Sequence, residues 1–115
     1  MMRRNKIVSV CIVAVMVFYW AGTAFGHAAI VWAYVENNRV YVEAFFANGA
    51  KIQNTQVVVV DENGNKVLEG KTDTEGKFSY KPVSKNPQTI VVSAGESHVG
   101  DFELSAEDLA DIVLE

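Results

Sequence analysis

Cysteine is nearly missing from this chain of 115 residues. The single thiol, Cys11, sits in an apolar run near the start, so nothing after it can form a disulfide or a thiolate metal site. Histidine is almost as scarce, at two residues, His27 and His98, which caps the imidazole supply for any site. Proline occurs twice, Pro82 and Pro87, bracketing one loop. There is no glycine-rich phosphate loop, no zinc-binding cysteine pair and no nucleophile elbow. Asp61-Glu62-Asn63-Gly64 lacks the glycine spacing of an EF-hand. Ser97, His98 and Asp101 do not make a triad, because adjacent strand residues point to opposite faces. An enzyme is not expected. A copper enzyme built on an amino-terminal histidine would need further ligands and a redox pocket that so short a chain hardly supplies.

What the chain does have begins at its amino terminus. Arg3, Arg4 and Lys6 precede an apolar run, Ile7 through Trp20, and small residues follow at Ala24 and Gly26. That is the three-part layout of a secretory signal over residues 1–26, with cleavage after Ala24-Phe25-Gly26 leaving His27 first. The run is also close to the length of an uncleaved anchor, and cleavage after Ala24, Ala28 or Ala29 fits the small residues too. Arg3-Arg4 is not followed by a twin-arginine motif, so general secretion is the expected route. The expected location is the periplasmic or other extracytoplasmic face of the cell membrane, with membrane contact only through this segment if it stays in place. Beyond Gly26, seven basic residues remain against fourteen acids, a net charge of −7. Such a surface disfavours nucleic acid and weakly favours cations.

From residue 27 onward the dominant period is two, broken by turn residues. Strands are predicted at Ile30–Val35, Val40–Ala47, Gln56–Val60, Lys66–Glu69, Lys77–Tyr80, Thr89–Ala94 and Val99–Leu104. Asn37-Asn38 reads as a tight turn, and Asn63-Gly64 as a hairpin turn supplying positive φ angles. The continuous run Val57-Val58-Val59-Val60 suggests a strand buried on both faces. Seven short strands at this spacing predict an all-β antiparallel sandwich over residues 27–104. A short helix is predicted over residues 105–115, capped by Ser105, with Leu109, Ile112 and Val113 on one face.

Two resemblances sharpen this reading. Val57 to Asn65, followed by Thr72-Asp73-Thr74-Glu75-Gly76-Lys77-Phe78, resembles the carboxypeptidase-regulatory-like or transthyretin-like sandwich. In that module the aspartate ties the turn, the glycine takes the strained dihedral and the aromatic, here Phe78, plugs the core. More narrowly, four segments are similar to the exported accessory subunits of energy-coupling-factor nickel and cobalt transporters. They are His27 with Val31-Trp32-Ala33-Tyr34-Val35-Glu36, Val40-Tyr41-Val42-Glu43-Ala44-Phe45-Phe46, Ala94-Gly95-Glu96-Ser97-His98, and Ser105-Ala106-Glu107-Asp108-Leu109. That resemblance implies a non-enzymatic helper in metal uptake, with nickel or cobalt as the bound or transported ion and a membrane permease as partner. The alternative is an extracytoplasmic interaction or adhesion module that holds no metal.

The chemistry of the residues can be set beside the resemblance. Nickel(II) and cobalt(II) accept imidazole and amine nitrogen. An α-amine, with a pKa of about 7.7–8.0, deprotonates far more easily than a lysine amine at about 10.4. A terminal His27 therefore offers two donors, and His98 a third. Glu43 is the remaining metal candidate. It lies among Val40, Tyr41, Val42, Ala44, Phe45 and Phe46, where a buried carboxylate needs a partner or a cation. Two readings are open for it: a ligand or the hydrogen-bond partner of a ligating histidine, or a strand-edge residue that reaches water. Glu96 and Asp101 are weaker oxygen candidates.

The cleavage pattern makes the first prediction. Protein recovered outside the cytoplasm should have the intact mass of a chain beginning at His27. A product beginning at Ala29, or one retaining residues 1–26, removes the amino-terminal chelate.

Overall fold

A computed structural model describes residues 28–95 and 98–114; the expected signal over residues 1–26, His27, Glu96, Ser97 and Glu115 lie outside the described residues. Seven strands are present: β1 Ala29–Glu36, β2 Arg39–Phe46, β3 Gln56–Asp61, β4 Lys66–Lys71, β5 Lys77–Tyr80, β6 Gln88–Ser93 and β7 Val99–Leu104. They form two antiparallel sheets, β1-β2-β5 and β4-β3-β6-β7. The predicted strands are all found, and their ends move by a residue or two.

The core follows from alternation. Val31 and Ala33 of β1, Val40, Val42 and Ala44 of β2, Val57 and Val59 of β3, and Ile90 and Val92 of β6 are buried between the sheets. Branched aliphatic residues suit this place because they pack well on a pleated surface and lose little rotamer freedom there. β3 does not bury both faces as its valine run suggested: Val57 and Val59 are fully enclosed, whereas Val58 and Val60 are half-buried on the outside of the sheet.

Turn chemistry fixes the order of the strands. Asn37 and Asn38 both have positive φ, 52° and 65°, as a two-residue hairpin between β1 and β2 requires. The β3–β4 and β4–β5 turns share one design. Asp61 Oδ1 accepts the N–H of Asn63 and of Asn65, both at 2.9 Å, and Asp73 Oδ1 accepts the N–H of Glu75 and of Lys77 at 2.8 and 3.0 Å. The glycine three residues after each aspartate takes the positive φ, 84° at Gly64 and 74° at Gly76. Asn63 has no positive φ, so Gly64 alone supplies the left-handed step.

Phe78 packs against the core as expected, but less completely than a plug would. It is half-buried, stacked on Tyr80 with ring centroids 6.0 Å apart, and it covers Gly70 of β4, where any Cβ would strike its ring. The enclosed aromatic is Tyr80, 5% exposed, whose hydroxyl donates to Gln88 Oε1. Burial pushes the Tyr80 phenol above its ordinary pKa.

Beyond β7 the expected helix is a series of turns. Ser105 and Asp108 bond each other's backbone N–H reciprocally, as at a helix start. The bonds that follow (Ala110 to Glu107, Ile112 to Leu109) span three residues instead of four, so no regular helix builds up. The three-residue spacing decides which side chains are enclosed. Leu109 and Ile112 are driven into the core at 0% and 1% exposure, while Val113 points outward and its N–H binds Asn38 Oδ1. The tail thereby plugs the end of the sandwich beside the β1–β2 hairpin.

Two measurements test the turns. Gly64→Ala should cost about 1 kcal/mol, the ordinary penalty for a left-handed residue gaining a Cβ. Gly76→Ala should cost clearly more in the same denaturant melts, because its Cβ would lie 2.5 Å from Ala44 O, whereas nothing lies within 4 Å at Gly64. Equal losses would show that the close approach of Gly76 to β2 is absent. The second test is acid. Hydrogen bonds from the Lys77 and Glu75 amides hold the Asp73 carboxyl below its usual pKa. Its contribution is therefore complete above an unfolded-state value of about 3.9 and is lost as pH falls through the lower folded value. Asp73→Asn should flatten that part of the stability–pH curve, and an unchanged acid limb would contradict the turn geometry.

Candidate functional site

The end of the sandwich opposite the tail gathers the sequence candidates that can be placed. The Ala28 carbonyl accepts the N–H of Ala47 at 3.0 Å, and Ala29 pairs with Phe46. On the other sheet, the turn between β6 and β7 is closed by Ala94 N–H to His98 O at 2.9 Å and His98 N–H to Gly95 O at 3.1 Å. The His98 ring meets Phe46 edge-on, with centroids 5.9 Å apart and planes at 82°. Phe46 is thus shared: its backbone receives the entering chain and its ring receives His98. β1 and β7 also touch here, since Gly100 has no side chain and a Cβ would lie 2.5 Å from Ala29 O.

His27 itself lies outside the described residues.

Glu43 is not brought to this end. Alternation along β2 sends Glu43, Tyr41 and Phe45 to the outer face of the three-stranded sheet, while Phe46, Ala44 and Val42 turn toward the core. Of the second reading, the strand edge does not hold, while access to water does. β2 is the central strand and not an edge, and the outer face above it is open, so the carboxylate is half-buried between Trp32 of β1 and Lys77 of β5. A cation is not required to hold it there. Asp101 is exposed on β7, and Glu96 lies outside the described residues. Among the described residues no group of three or more His, Cys, Asp or Glu side chains is placed to hold a metal.

Comparison with known proteins adds the fold and stops there. No protein-family model and no curated protein matches the chain. A solved structure of native alpha-2-macroglobulin from Escherichia coli, spanning domains NIE-MG1, is similar over 64% of this chain and 35% of that one, at 21% identity and a TM-score of 0.58. The likeness is that of a β-sandwich. A β-D-glucuronidase from Dictyoglomus thermophilum aligns over 67% of this chain and 14% of its own, at 17% identity and a TM-score of 0.34. The chain spans about a third of the length of the first of these.

Two features escaped the sequence reading. The outer face of the three-stranded sheet carries Ile30, Trp32 and Tyr34 at 39%, 52% and 38% exposure, with Tyr41 and Phe45 beside them. Tyr34 packs edge-on against Tyr41, and Trp32 against Phe102 of β7. The signal was present: Ile30 to Val35 has no polar residue at alternate positions, which a strand with one wetted face would show. The second is a polar groove of about 540 Å³ beside Phe46 and Ala94, formed largely by the link between β2 and β3. Nothing in that link has a period from which a groove can be read.

The placement of Glu43 carries its own prediction. Glu43→Gln should change the unfolding free energy by no more than about 0.5 kcal/mol, as at an open surface. A loss several times larger in denaturant melts would mean that the carboxylate is held by a partner or a cation.

Proposed function

We propose that this chain is an extracytoplasmic, non-enzymatic accessory component of a nickel or cobalt importer, holding the ion transiently and passing it to a membrane permease. The observation that supports this most is the meeting of the chain's point of entry, Ala28-Ala29, with the His98 turn across Phe46. After removal of residues 1–26, an α-amine and an imidazole on His27 would begin within reach of a second imidazole on His98. Three nitrogens of this kind suit nickel(II) or cobalt(II). Three donors leave coordination positions open, which also suits delivery, since a closed cage would release the ion slowly. The resemblance of the His27, Glu43 and His98 segments to transporter accessory subunits points the same way, although Glu43 serves the outer face and not the ion.

The exposed Ile30, Trp32 and Tyr34 face favours a second reading, a β-sandwich interaction module in which the histidines are incidental. Calorimetry separates the two. Protein beginning at His27 should bind one nickel or cobalt ion per chain. His98→Ala, or one extra residue placed before His27, should each weaken binding at least about tenfold, or roughly 1.4 kcal/mol. Binding should also fall in acid, where protons compete for the donor nitrogens. Glu43→Gln should leave the affinity unchanged. No heat of binding for either ion, or equal affinity with the terminus blocked, moves the assignment to the interaction module.

A further inference from the structure

We propose that the outer face of the β1-β2-β5 sheet is a binding site for a neutral carbohydrate, whose C–H face stacks on the tyrosines while its hydroxyls donate to Glu43. The site shares no residue with the His98 end, so it holds or fails independently of the nickel or cobalt reading.

Strand register sets the layout. Trp32, Glu43 and Lys77 lie side by side across the three strands, and Tyr34, Tyr41 and Ser79 form the next row. Alternation turns these six outward, since Ala33, Val42 and Phe78 between them pack toward the core. Tyr34 and Tyr41 meet edge-on, with centroids 5.5 Å apart and planes at 62°, and so make an angled apolar wall. The wall bounds a cleft of about 420 Å³ that continues past Glu43, Lys77 and Ser79 to Lys71 at the end of β4. That volume lies inside the range of small-molecule sites, about 300–1,000 Å³.

The polar groups of the cleft have bonding capacity left. The Glu43 carboxylate makes no hydrogen bond or ion pair among the described residues; the Lys77 ammonium is paired instead with Glu75, at 3.7 Å. Ser79 Oγ accepts from Arg39 Nη2 at 3.0 Å and keeps its own proton to donate. An ionised carboxylate is a stronger acceptor for a hydroxyl than a neutral group is. A pyranose ring combines what such a cleft can hold: an apolar C–H face to lie on an aromatic ring, and a rim of hydroxyls that donate and accept.

Charge and area exclude the alternatives. After residue 26 the chain carries seven bases against fourteen acids, yet around the cleft Glu43 and Asp73 balance Lys71 and Lys77. A cleft without net charge favours neither an anion nor a cation. A lipid surface would cover Glu43 with hydrocarbon and leave its charge without a partner. A second copy of the chain needs more room. The longest strands of the face have eight residues. At about 3.3 Å per residue and about 4.8 Å between strands, three such strands give at most roughly 400 Å² in plan. Each partner of a stable interface covers about twice that.

Neutral hexasaccharides of glucose, mannose and N-acetylglucosamine are the probes, titrated by NMR into the protein recovered outside the cytoplasm. Ethylenediaminetetraacetate is kept in the buffer, so that no metal takes part. At least one sugar should shift the Trp32 indole resonance and the Tyr41 and Glu43 amides, with a dissociation constant at or below about 1 mM. Glu43→Gln, a surface change that spares the fold, should weaken that binding about five- to tenfold, and Tyr41→Ala at least about tenfold. Val83→Ser, exposed in the loop after β5 and outside the cleft, should leave it unchanged. No shift with any of these sugars overturns the site, as does binding that survives both Glu43→Gln and Tyr41→Ala at full strength. Binding to phosphatidylcholine vesicles in place of the sugars makes the face a lipid surface and overturns the carbohydrate site as well.

Discussion

Everything on the link side of this sandwich depends on how closely the turn after Asp73 approaches the end of β2. Ala44 donates its N–H to Gly76 O at 2.8 Å, and Ile52 donates to Ala44 O at 3.1 Å, so one residue of β2 is gripped by both the β4–β5 turn and the link from β2 to β3. Thr72, 2% exposed, completes the clamp by donating to Ile52 O and accepting from Thr55 N–H. The two sheets share no strand, so contacts of this kind align them. A side chain at Gly76 would push the turn off β2, loosen Ile52 from the core and undo the wall of the polar groove together.

Much of the fold was legible because its signals are local. Short apolar runs between turn residues marked all seven strands, six by a period of two and β3 by its continuous valines. Asn63-Gly64 and Asp73-x-x-Gly76 marked the two tight turns, since an aspartate oxygen that collects amides and a glycine free to adopt positive φ need nothing from the rest of the chain. What failed to show was set by tertiary packing. Phe78 and Tyr80 share a face, and only the position of β4 decides which ring is enclosed. The tail has helical spacing, yet its bonds span three residues, so Leu109 and Ile112 reach the core while Val113, expected on the same face, points outward. For Glu43 the apolar neighbours left two readings open, and only the sheet arrangement, with no further layer over that face among the described residues, shows the carboxylate half-buried there.

The site was legible in part for the same reason. His98 was found where expected, in the turn leading into β7, and the entering chain arrives at the same end. The groove beside them was not foreseen, because its lining comes from the aperiodic link 51–56 and from Ser93 and Ala94 at the far end of β6. The two ends of the sandwich consequently differ in kind. One is stoppered by Leu109 and Ile112 with Asn38 pinning the tail. The other is left polar, with loops and the start of the chain around it.

The seam between β1 and β7 bears on how the chain is made. Trp32 lies against Phe102, and Ala29 against Gly100, so the earliest strand of the domain finds its cover only in the last. The pairings of β2 with β5 and of β3 with β6 also join distant stretches. Contacts so far apart in sequence form slowly, because each must close a long loop before it gains anything. A polypeptide emerging from the ribosome has no complete core until β7 and the segment with Leu109 and Ile112 have been synthesised. It stays open and extended for that time, exposed to any protease that reaches it before the seam closes.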